Sequence, residues 1–296
     1  MRKLLLLLAI LLALAIGALA CTPPEANIPT ATPSAAAAAP THTASPRPTE
    51  EPTASPTPDC QSEQGEVKRS SYRSRLLSSE VSLWIYVPPC YPIQDERLPG
   101  VFFFHGKPFD QSHWAELGLV DTYERGLVQG RWDRAILILP KLPEPLFSSS
   151  DGGPGSYEEE FLEAVLPVVE AEYQLADPPV GRHLAGISRG GIWALEIGLG
   201  HADLFGRIAA LSPSLAVNYP RPAYDPFNMV QVQQEVPENI LLLAGEEDWA
   251  RPKTEELAAA LATVESDVQL RIVPGDHRDP TWEAVLPLVL DFLVAK

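Results

Sequence analysis

The sequence predicts a three-layer α/β fold built on a mostly parallel central sheet. Two observations lead there. Short apolar runs that do not alternate with polar residues recur along the chain, the pattern of strands buried on both faces. Segments of helical length separate these runs, and alternating strands and helices favour a parallel sheet covered on each side.

In chain order, Val81 to Val87 alternates Ser and Tyr with Leu, Trp, Ile and Val as a strand does, and it stops at Pro88-Pro89. Continuous apolar strands follow at Val101 to Phe104, Ala135 to Leu139, His183 to Ala185, Ile208 to Leu211, Ile240 to Ala244 and Leu270 to Val273. Helices are expected over Trp114 to Gln129, Tyr157 to Tyr173, Gly191 to His201, Lys253 to Val264 and Trp282 to Val294. In the second helix Phe161, Leu162, Val165, Leu166, Val168 and Val169 make a broad apolar face, and Pro167 should kink it. Ser156 with Glu159 reads as a capping box at its start. Pro213 to Pro237 is a long Pro-rich segment carrying Tyr219, Tyr224 and Phe227; it reads either as a lid or acyl-pocket wall, together with Trp249, or as a surface-packed loop.

The first fifth of the 296 residues does not read as folded protein. Met1 to Lys3 is basic, Leu4 to Ile16 is apolar but too short to span a bilayer, and small residues lead to Cys21, so residues 1–20 read as a signal peptide. Cys21 is then a candidate for lipidation, the alternative being an ordinary secretory signal cut after Ala18 or Ala20. Either way the expected location is outside the cytoplasm, with a lipid on Cys21 anchoring the protein to the bacterial cell membrane in the first case. Residues 21–59 are rich in Pro, Thr and Ala, lack aromatics and cannot build a core. They read as a disordered tether of roughly 100 Å reach. Residues 60–296 are left for the folded domain.

Two further cysteines, Cys60 and Cys90, form an even pair that most simply closes one disulfide in an oxidising compartment; two buried thiols are the alternative. Two cysteines are too few for a structural zinc site of four ligands, and no metal or organic cofactor is expected. The net charge of −17 falls mostly on the folded segment and argues against nucleic acid as a partner.

The chemistry is carried by Gly186-Ile187-Ser188-Arg189-Gly190-Gly191, which follows a strand and opens a helix. In this nucleophile elbow the serine sits in a strained backbone conformation, and glycines two residues to either side let strand and helix approach. Serine is a weak nucleophile and needs a base. Two later strands end in the required groups, Gly245-Glu246-Glu247-Asp248 and Pro274-Gly275-Asp276-His277. Reacting groups in open α/β sheets gather at the carboxyl ends of strands, so Ser188, Asp248 and His277 are the candidate nucleophile, acid and base. Glu246 and Glu247 are rivals for the acid, and Asp276 reads as a turn residue. Of the other histidines, His42 lies in the tether, His183 opens a strand, and His201 falls near a helix C-terminus. His113 reads either as a solvated pre-helix residue or as a pocket residue. A developing oxyanion needs two donors aimed at one point. The backbone amides of Arg189 and of Lys107, in His105-Gly106-Lys107-Pro108, are the candidates, since Pro108 has no N–H.

At these residues the chain resembles the esterase family of the α/β-hydrolases, with its enterochelin esterases, S-formylglutathione hydrolases, feruloyl esterases and antigen 85 mycolyltransferases. The resemblance spans roughly Val81 to Lys296. It rests on Phe104-His105-Gly106, on Leu184 to Gly191, on Asp203-Leu204-Phe205-Gly206 with Leu211-Ser212-Pro213, and on the Asp248 and His277 motifs. It implies the α/β-hydrolase fold and the same roles for Ser188, Asp248 and His277. Arg189 stands where many relatives have methionine. The expectation is therefore a serine esterase acting on a small-molecule or lipid ester through an acyl-enzyme. An acyltransferase of the mycolyltransferase type, with an alcohol replacing water, is the chemically close alternative. A catalytically inactive binding lipoprotein is the alternative of another class.

Overall fold

A computed structural model describes residue 62 and residues 64–93, 95–232, 235–264 and 266–295. The signal, the tether, Cys21 and Cys60 lie outside these residues. Cys90 is disulfide-bonded.

Eight strands form one sheet: β1 (Glu66–Arg73), β2 (Glu80–Val87), β3 (Gly100–Phe104), β4 (Ile136–Pro140), β5 (Arg182–Ile187), β6 (Arg207–Leu211), β7 (Asn239–Gly245) and β8 (Asp267–Val273). Their order is β1-β2-β4-β3-β5-β6-β7-β8; the β1–β2 and β2–β4 pairings are antiparallel and those among β4, β3, β5, β6, β7 and β8 are parallel. Six of these were legible as apolar runs and β2 by its alternation. β1 was not, because Glu66-Val67-Lys68-Arg69-Ser70-Ser71-Tyr72-Arg73 buries Tyr72 alone. Its charges suit a sheet edge, where they oppose pairing with a second chain.

The helices are α1 (His113–Glu116), α2 (Leu119–Val128), α3 (Tyr157–Glu160), α4 (Leu166–Glu172), α5 (Arg189–Gly200), α6 (Pro226–Val232), α7 (Arg251–Leu261) and α8 (Asp279–Val294). Successive residues of a strand point to opposite faces, and the apolar side chains divide accordingly. Phe102, Phe104, Ile138, Leu184 and Leu242 pack with Tyr157, Phe161, Ile192, Trp193 and Leu257 in one core. Val101, Phe103, Leu137, Ala185 and Leu241 pack with Trp114, Tyr123, Trp282, Leu286 and Val289 in the other. These cores make the three layers.

Three local expectations need correction. The helix expected over Trp114 to Gln129 is broken at Gly118, whose φ of 83° lies in the left-handed region. The Ser156 cap accepts from the Glu158 amide at 3.0 Å, but Glu159 bonds the Gly155 amide at 2.6 Å rather than that of Ser156, so the reciprocal half of the box is shifted by one residue. The segment after β6 is not irregular throughout: α6 buries Met229 and Val230. The disturbance expected at Pro167 takes the form of a π-helical turn, Phe161–Val165, just before α4.

Candidate active site

Strands β3, β5, β7 and β8 run parallel, so the loops that follow them emerge along one edge of the sheet. Ser188 follows β5 at φ 53° and ψ −111°, a costly conformation for a residue with a Cβ. Its neighbours explain how the turn closes. A Cβ on Gly186 would lie 2.1 Å from the Gly190 carbonyl oxygen, and one on Gly190 would lie 2.4 Å from that of Phe104. Larger residues at either place would push β5, α5 and the loop after β3 apart.

His277 Nε2 lies 2.9 Å from Ser188 Oγ, and its Nδ1 lies 2.8 Å from Asp248 Oδ1. The Asp248 side chain is fully buried, and Oδ1 also accepts the Ala250 amide at 2.8 Å. Burial raises the carboxyl's pKa, but interactions with His277, Ser212 and the Ala250 amide outweigh it and hold the group below the usual carboxylate value. Oδ2 has no well-formed hydrogen bond. An ionised Asp248 fixes the imidazole with its Nδ1 proton inward, which leaves Nε2 free to accept the serine proton. Glu246 and Glu247 are exposed and make no such contact.

Two tryptophans frame His277. Trp249, 45 % exposed, lies with its ring centroid 4.4 Å from the imidazole, and Trp282 meets it nearly edge-on at 5.1 Å. Trp282 also donates to Ser212 Oγ at 3.0 Å. Sequence reasoning had named Trp249 but not Trp282, whose place in an apolar helix looks like that of any core residue.

Gly106 lies close to Ser188, since a Cβ built on it would lie 3.5 Å from Ser188 Cβ. The Lys107 amide is the next along this loop, and the Arg189 amide, at the first position of α5, has no intrahelical acceptor. His105 is buried, with the Leu142 amide donating to its Nε2 at 2.9 Å, so its proton sits on Nδ1, facing the Gly106 carbonyl at 3.0 Å. Burial lowers its pKa to about 4, which keeps it neutral.

His113 does not line a pocket. It is buried, stacks on Phe109 at 3.8 Å, accepts from the Gly106 amide at 3.4 Å and donates to Asp279 Oδ1 at 3.1 Å. The ring supports the loop after β3 from below, and burial lowers its pKa despite Asp279. Tyr224 and Phe227 are not among the groups around Ser188. Tyr224 packs against Gly153 and under the Arg221 guanidinium, and Phe227 lies under Lys253.

A further polar cluster went unrecognised. The Arg189 guanidinium is buried and bonds the carbonyls of Phe147 at 3.1 Å, Ser148 at 3.0 Å and Ser149, with Nη1 on Asn218 Oδ1 at 2.6 Å. Asn218 in turn donates to Glu196 at 3.2 Å. Burial pushes the Glu196 carboxyl up to about 9, against the lowering effects of Asn218 and Arg189. The available signal was spacing: Arg189 and Glu196 stand two turns apart on an otherwise apolar helix. Among the described residues no group of three or more His, Cys, Asp or Glu side chains gathers as metal ligands would.

A family model described as "Putative esterase" matches residues 74–291. Among solved structures, a ferulic acid esterase superposes with a TM-score of 0.67 at 22 % identity, covering 78 % of this chain and 98 % of that one. S-formylglutathione hydrolase from Staphylococcus aureus gives 0.66 at 16 % identity over 78 % of this chain and 99 % of that one. Enterobactin esterase from Shigella flexneri gives 0.64 at 20 % identity over 77 % of this chain and 59 % of that one. At such identities these likenesses speak for the fold.

Proposed function

This chain belongs to the esterase family of the α/β-hydrolases, and from that premise we propose that it is an exported serine esterase using Ser188, His277 and Asp248. The observation that carries the proposal is the continuous line of contacts from Asp248 Oδ1 through the imidazole to the Oγ of a strained Ser188, 2.8 and 2.9 Å long.

In the first half-reaction His277 Nε2 takes the Ser188 proton as Oγ attacks the ester carbonyl. The amides of Arg189 and Lys107 receive the developing oxyanion. The imidazolium, opposed by the Asp248 carboxylate, then protonates the departing alcohol and leaves an acyl-enzyme on Ser188. Water repeats the sequence from the same base and releases the acid. Trp249 and Trp282 hold the imidazole in the plane that serves both halves. The substrate is a small-molecule or lipid ester. Residues 1–21 support export and a lipid anchor on Cys21 at the bacterial cell membrane, with residues 22–59 as the tether.

Turnover of a panel of p-nitrophenyl esters by the wild type and by Ser188→Ala tests the reading. A loss of about 10⁴-fold or more in kcat is expected for the variant. A wild type inert towards every ester, or a variant as active as the wild type, would overturn it.

A further inference from the structure

Two amides on different loops can share one oxyanion only if their separation is held to a fraction of an ångström. The side chains of both residues, and of His105 beside them, converge on one segment, residues 142–149. On the elbow side, the Arg189 guanidinium gathers the carbonyls of Phe147, Ser148 and Ser149. On the other side, His105 Nε2 accepts the Leu142 amide at 2.9 Å and its ring meets Phe147 edge-on at 4.8 Å. Lys107 Nζ pairs with Glu144 at 2.8 Å and bonds Ser148 Oγ.

We propose that the Arg189 guanidinium is a positioning group for the oxyanion hole, acting through residues 147–149 to set the 105–107 loop against the elbow. The inference rests on the esterase reading of Ser188. Arg189 has no carboxylate within ion-pair distance among the described residues, and its side chain is almost wholly enclosed. It therefore acts on the backbone around it and not on the substrate. Removing it strands the carbonyls of Ser148 and Ser149 and leaves that of Phe147 to the Trp193 indole N–H alone, at 3.3 Å, so the segment against which the Lys107 loop is set is freed to shift. The Lys107 ammonium is a weaker, exposed link in the same chain, since surface ion pairs contribute little.

The test measures kcat, KM and inhibition by an alkyl trifluoromethyl ketone, whose adduct on serine carries the oxyanion, for the full chain and three variants. Arg189→Met should lower kcat by about 10- to 100-fold with KM within threefold, and ketone affinity should fall in parallel. Arg189→Lys should recover part of the loss. Lys107→Met, a surface change, should show a smaller loss with the same pattern. If Arg189→Met does not fold, Arg189→Lys and Lys107→Met carry the test.

Folded variants that all keep kcat and ketone affinity within twofold, or that lose only KM, overturn the proposal. When that happens beside a wild type whose turnover depends on Ser188, the esterase reading stands and the strut alone fails. A wild type without Ser188-dependent turnover brings both down.

Discussion

The residues proposed to carry the chemistry combine strain with burial, and each feature has a local cause. Ser188 holds φ 53° because Gly186 and Gly190 let backbone pass within van der Waals distance on either side of it. That Ser188, His277 and Asp248 could converge was legible from sequence because their motifs are short and follow strands. The supporting residues were not: Trp282, Asn218 and Glu196 acquire their roles only through partners far away in the chain. His113 shows the reverse error, for a histidine at a helix start reads as solvated or as pocket-lining, and here it is buried under the Phe109 ring. Glu196 gives a prediction at this scale. Its folded pKa, about 9, lies above the unfolded carboxyl's 4.5, so the native state holds the proton more tightly. The associated stability is complete below pH 4.5 and is lost as pH rises towards 9. Glu196→Gln, which cannot ionise, should match the wild type in denaturant unfolding at pH 4 and exceed it by on the order of 5 kcal/mol near pH 8. A constant difference across that range would contradict the assignment.

At the scale of elements, periodicity revealed those with one apolar face or two and missed those with none. β3 and β5 are buried on both faces and were plain. β1, with a single buried side chain, has no pattern distinct from a polar loop and is recognised only by its pairing with β2. The α6 helix was hidden by the prolines around it, which mark turns as readily as helix starts. Capping gives the prediction here. Ser156 receives the Glu158 amide and itself donates to the Gly153 carbonyl at 2.6 Å. Ser156→Ala should therefore cost about 1 kcal/mol in chemical denaturation while leaving ester turnover per folded molecule unchanged. Glu159→Gln should cost much less than that.

Over the whole molecule, the parallel sheet brings together groups that are remote in sequence. Ser188, Asp248 and His277 each lie in the turn or loop that follows a strand, and β6 alone stands between β5 and β7. The same placement sets the loop after β3 beside β5 and thus Gly106 beside Ser188. The fold class followed from strand and helix alternation, and the order of motifs fixed which loops could meet. How closely they meet depends on side-chain contacts between loops, which no one-dimensional pattern encodes. The central claim is that Ser188 is the activated nucleophile. Its most direct test is peptide mapping of the full chain after exposure to a fluorophosphonate probe. A single stoichiometric adduct on Ser188, formed at least about 100-fold more slowly in His277→Ala, is the predicted result. No adduct, or one on another residue formed at a rate indifferent to His277, would contradict the account.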